Sequence, residues 1–95
     1  MKVISPLGTS WNEYKESLLS PEERAVIKMK VDLISEIVRA RQSKNLSQQK
    51  LGEISRIKQP IIARLEKGRT NPQLETLIKL LLPLGLTITV TPIDQ

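Results

Sequence analysis

SQQKLGEISRIKQPIIARLEKG, residues 47–68, is the stretch whose reading decides the fold. Two short helical patterns flank a tight turn. Leu51 and Ile54 supply the apolar positions of the first, Ile62 and Leu65 those of the second, and Ile57 lies at the turn. A helix that buries Ile62 and Leu65 turns Gln59, Ala63 and Arg64 outward. Gln and Arg suit bidentate contacts with adenine and guanine edges in the major groove. The pattern predicts a helix-turn-helix whose second helix reads DNA.

The flanking residues support that reading. Ser47 is a helix cap, and Gln48 in the first turn is placed to donate to a backbone phosphate at a helix N-terminus. Gly52 allows the two helices to approach closely. Pro60 falls in the first turn of the second helix, where a missing N–H is tolerated, and Gly68 is a C-terminal stop. Charge is concentrated on the same region. Residues 37–70 hold nine basic side chains and two acidic ones, a net +7, whereas the rest of the chain holds six basic and eight acidic. A phosphate-binding surface requires such a concentration.

Upstream, Ser20-Pro21-Glu22-Glu23 is a helix start with the elements of a capping box. Nothing then breaks the helix until about residue 43. Val26, Leu33, Ile37 and Ala40 form one apolar stripe, with Ile27, Val31, Ile34 and Val38 beside it. The half from Asp32 is expected to open the DNA-binding bundle, and the half before it to form an arm. A shorter helix is expected over 11–18, where Trp11, Tyr14, Leu18 and Leu19 share a face. Trp11 and Tyr14, the chain's only aromatics, either pack on their own domain or anchor a partner protein.

Downstream, Asn71-Pro72 is read as a helix start, and Leu74, Leu77, Ile78, Leu81 and Leu82 as a face covering the core. The period then changes: Leu86, Ile88 and Val90 alternate with threonines, the pattern of a half-buried strand. A lone strand leaves its backbone groups unpaired, so pairing with the same strand of a second chain, or with a partner's sheet edge, is expected.

Composition narrows the function. The 95 residues include no His, no Cys and no Phe. The commonest general base, the commonest metal ligand and any disulfide are thereby missing. No convergent carboxylates suggest an active site, so no enzyme, cofactor or metal is expected. No run approaches the roughly 20 apolar residues of a membrane span and no signal peptide is visible, so a cytoplasmic protein, nucleoid-associated when bound to DNA, is expected.

LSQQKLGEIS and KQPIIARLEKGRTNP resemble the first motif helix and the recognition helix of the phage-repressor (Xre/Cro) family, over about residues 32–84. The resemblance implies a bundle of four to five helices. Gln48 would bind phosphate and brace Gln59, and Gln59 and Arg64 would reach base edges, with Pro60 and Ala63 close to the bases. Lys58, Lys67, Arg69 and Asn71 would contact phosphates, and Arg41 and Glu66 would form a buried structural pair. Arg56 departs from the family's turn glycine, and Lys58 from its frequent Ser or Thr. ISPLGTSWNEYKESLLSPEE before the bundle, with NPQLETLIKLLLPLGLTITVTP after it, is similar to HigA-type antitoxins. That resemblance implies a HigB-type, RNA-cleaving toxin of RelE fold as partner, and repression of the shared operon.

The expected architecture is all-α: a helix-turn-helix bundle of about five helices, an N-terminal helical extension and one C-terminal β-strand pairing across a homodimer. Residues 1–31 form the extension and candidate toxin-binding segment, through Trp11, Tyr14, Leu18, Leu19, Val26 and Ile27. Residues 32–85 bind double-stranded operator DNA, and residues 86–95 dimerise through Leu86, Ile88 and Val90. The expected function is that of an antitoxin that neutralises a toxin and represses its own operon; a stand-alone dimeric repressor is the alternative.

Overall fold

The computed structural model describes residues 18–93. The chain divides into two units at Val31/Asp32, and each is described by itself. The helix expected over 11–18, with Trp11 and Tyr14, lies outside the described residues except at its last position. Among the described residues the fold is all-helical. The elements are α1 (Pro21–Ser43), α2 (Gln48–Ser55), α3 (Gln59–Glu66), α4 (Leu74–Leu81) and a 3-10 turn (Leu82–Leu84).

In the first unit, α1 starts where the capping box is written. The Glu23 amide donates to Ser20 Oγ (3.1 Å), and the Ser20 amide donates to Glu23 Oε1 (3.2 Å). Beyond the cap, Val26, Ile27, Met29 and Val31 are exposed, as is Leu18 before it; Leu19 is half-buried.

The second unit is the helical bundle. Its core is aliphatic: Ile37 from α1, Leu51 from α2, Ile62 and Leu65 from α3, Leu77, Leu80 and Leu81 from α4, and Leu84 from the 3-10 turn. Leu33, Ala40, Leu46, Ile57 and Leu86 pack around it, partly buried. Three helix ends close in the same way. The Leu46 amide donates to the Arg41 carbonyl and that of Asn45 to Gln42. Arg69 and Gly68 repeat the pattern on Arg64 and Leu65, and Leu86 and Gly85 repeat it on Leu81 and Leu82. These are Schellman closures, and the residue at each reversal (Asn45, Gly68 or Gly85) has positive φ.

Several sequence expectations are corrected here. Ile54 is exposed, and the buried companion of Leu51 is Ser55. Ser55 Oγ accepts the Ile57 amide at 3.2 Å, so a small hydroxyl serves both packing and the turn. Leu74, Ile78 and Leu82 are exposed, because the inward face of α4 is the adjacent stripe Leu77, Leu80, Leu81, continued by Leu84 in the 3-10 turn. That helix starts at Leu74 with Gln73 as its cap, not at Asn71-Pro72; its first helical bond runs from the Leu77 amide to the Gln73 carbonyl. No strand forms among the described residues, and 86–93 carry neither helix nor strand. Leu86 packs, partly buried, against the chain's own core; Ile88 is at the margin of exposure, and Val90 and Ile93 are almost fully exposed.

Gly52 has a steric cause. A Cβ placed on it would lie 2.7 Å from the Ile57 carbonyl oxygen, a backbone atom in the turn. Gly52→Ala should therefore destabilise the bundle by about 1–3 kcal/mol, the usual scale of overpacking, as read by urea unfolding. An unchanged midpoint would mean that the turn relaxes freely.

Candidate nucleic-acid interface

α2 and α3 are joined through a left-handed residue. Ser47 caps α2, its Oγ accepting the Lys50 amide at 3.0 Å, and Arg56 closes the helix with φ 64°. Left-handed backbone in a residue with a Cβ is strained by roughly 1–2 kcal/mol. The departure from a turn glycine is thus absorbed at that cost, and it adds an exposed cation to the turn. Lys58 then caps α3 through extended backbone (φ −63°, ψ 138°), without a side-chain bond.

α3 buries Ile62 and Leu65 and leaves Gln59, Pro60 and Arg64 exposed on its outer side, with Ala63 half-buried between them. Arg64 lies in the last turn, where a cation is favoured by the helix dipole. Lys58, Lys67, Arg69 and Asn71 are also exposed, before and after the helix. The residues read from the sequence as base-facing thus share one face of α3, and those read as phosphate-facing flank it.

Behind that face runs a line of polar contacts. Arg41 on α1 holds Glu66 bidentately, Nε to Oε2 at 2.7 Å and Nη2 to Oε1 at 2.9 Å, and its Nη1 donates to the Leu46 carbonyl at 2.8 Å. The two side chains are only 13% and 7% exposed, so burial strengthens the attraction and makes either charge costly alone. Gln48 Nε2 donates to the same Glu66 Oε1 at 2.9 Å, and Gln59 Nε2 donates to Gln48 Oε1 at 2.8 Å. The Gln48–Glu66 contact was missed in the sequence, since residues eighteen positions apart on different helices share no periodic signal.

These features meet a direct comparison. The family model described as helix-turn-helix matches residues 37–90, more than half of the sequence. The chain belongs to the helix-turn-helix family. An uncharacterised HTH-type transcriptional regulator of Haemophilus influenzae is 50% identical over 93 residues, 98% of this chain and 95% of that one. Among solved structures, a toxin–antitoxin module from Streptococcus pneumoniae is similar with a TM-score of 0.70 and 44% identity, covering 92% of this chain and 96% of that one. Among the described residues no helix is long and apolar enough to cross a membrane, and no group of His, Cys, Asp or Glu is placed to hold a metal ion.

If Arg64 reads a base edge, Arg64→Ala should cost about 1–3 kcal/mol on the specific site and flatten base preference at one position. Binding titrations on specific and random duplexes separate the roles, since a phosphate contact would lose equally on both.

Proposed function

We propose that this helix-turn-helix DNA-binding regulator is an antitoxin of HigA type, which binds and neutralises a HigB-like, mRNA-cleaving toxin and represses their shared operon. The observation that carries the proposal is the extent of the likeness to the Streptococcus pneumoniae module. It covers 92% of this chain, so it takes in most of the residues before Ile37, where the helix-turn-helix match begins. A bare DNA-binding domain has no need of that segment. Its described part is chemically suited to a protein partner, because Leu18, Val26, Ile27, Met29 and Val31 are apolar and exposed. Trp11 and Tyr14 belong to the same proposed toxin contact.

The DNA-binding form is a homodimer. Ile88 and Val90 contribute its contact, and Ile93 extends the same exposed apolar segment. Two recognition helices in successive major grooves fit half-sites about one helical turn, roughly 34 Å, apart. Gln48, Lys58, Lys67, Arg69 and Asn71 hold phosphates, and Gln59 and Arg64 read bases with Pro60 and Ala63 close by. The chemistry is binding rather than catalysis.

The test is co-expression with the neighbouring open reading frame, purification through a tag on one product, and light scattering. A stable complex heavier than the dimer is expected. Replacing Val26 and Met29 by Asp should abolish that complex while leaving operator binding intact. A clean homodimer that retains no neighbour would point to a stand-alone repressor. Truncation after Thr87 should lower the association state without removing Leu86 from the core; a dimer that survives it would place the contact elsewhere.

A further inference from the structure

The polar line behind α3 has a direction, and that direction is set by chemistry. A carboxylate only accepts hydrogen bonds, and an arginine only donates. Glu66 accepts from Arg41 through both oxygens, so the end of the Gln48 amide that meets Glu66 Oε1 at 2.9 Å has to be its NH2. Gln48 therefore turns its carbonyl to Gln59, and Gln59 answers with an N–H at 2.8 Å. Gln59 is left with one N–H and its carbonyl oxygen. That donor–acceptor pair is the one adenine takes through N7 and N6.

We infer that Glu66, buried at the inner end of this line, is a specificity-determining residue: its acceptor-only carboxylate fixes the amide orientations of Gln48 and Gln59 and so makes Gln59 a reader of adenine. The inference rests on the reading of Gln59 as a base contact. Glu66 touches no DNA on this account; it is a positioning residue acting through Gln48. Replacing the buried pair together by apolar side chains, Arg41→Met with Glu66→Leu, removes the carboxylate without leaving a buried charge alone. The Gln48 amide then has no acceptor-only neighbour to orient it, and Gln59 presents its donor and acceptor to the groove in no fixed order.

The test is site selection from a randomised duplex pool with the full chain, comparing wild type, Gln59→Ala and the double variant Arg41→Met/Glu66→Leu. Gln59→Ala should leave one operator position degenerate. The double variant should lose adenine discrimination at that same position by about tenfold. A merely structural role would weaken all sequences together and could not produce a loss confined to one position. If Gln59→Ala changes the preference and the folded double variant does not, the orientation relay is overturned. If Gln59→Ala changes no preference, the base-reading role itself fails, and the inference with it. Should the double variant not fold, Gln48→Leu decides in the same assay, since it cuts the line but leaves the Arg41–Glu66 pair whole: relaxed adenine preference supports the relay, and retained preference overturns it.

Discussion

Glu66 sits on the inner side of the recognition helix with its charge largely removed from water, and Arg41 is the group that makes this tolerable. The guanidinium reaches across from α1, engages both carboxylate oxygens, and uses its remaining edge on the Leu46 carbonyl just before α2. One side chain thus connects α1, the start of α2 and the end of α3. Removing either partner of a buried pair of this kind costs about 3–5 kcal/mol, a large share of the stability of a small domain. The apolar core supplies cohesion but little direction, since eight aliphatic side chains could be packed in several ways. The ion pair adds a condition that few of those packings meet, and it places α3 with its outward face in a defined position.

How much of this was legible in the sequence depends on the scale of the signal. Capping and helix ends are local, so Ser20 with Glu23, Ser47 and Gly68 could be read directly from neighbouring residues. The helix-turn-helix was legible because a buried pair four positions from a turn leaves few choices for the outward face. Less legible was which of two adjacent apolar stripes turns inward. α4 carries both, and the sequence reading mixed them: Leu77 and Leu81 are buried, whereas Leu74, Ile78 and Leu82 are not. Ile54 was misassigned for a related reason, since hydrophobicity favoured it over Ser55, whereas it is Ser55 that turns inward and accepts the Ile57 amide. Leu86 opens an alternating pattern that suggested a strand, but it packs, partly buried, against the core just after the closure at Gly85. The interface residues were legible as types on a face; the order of hydrogen bonds joining Glu66, Gln48 and Gln59 was not, because it depends on three helices meeting.

The two units differ in how their apolar residues are used. In the bundle, eight isoleucines and leucines form the core while Ile54, Ile61, Leu74, Ile78 and Leu82 stay exposed, and the face of α3 that carries Gln59 and Arg64 is, with its flanks, largely polar and basic. In the described part of the first unit, apolar side chains stay on the outside of α1. A continuous helix therefore carries two kinds of surface. Under the proposed function the division matches two kinds of recognition, one governed by charge and hydrogen-bond pattern and the other by removal of aliphatic surface from water.

The left-handed residues that end the helices have a consequence for how this sequence can vary. Asn45, Arg56, Gly68 and Gly85 each reverse the chain within a few residues, and no slack connection separates α1 from α2 or α2 from α3. An inserted or deleted residue in α2 or α3 would turn everything beyond it by about 100° relative to the part before. Gln59 would be carried off its partner, and Glu66 away from Arg41. Side chains on the outer face can change, and with them the sequence that is read, but the number of residues between Arg41 and Glu66 cannot. Diversification of this region is confined to substitution, with length held constant.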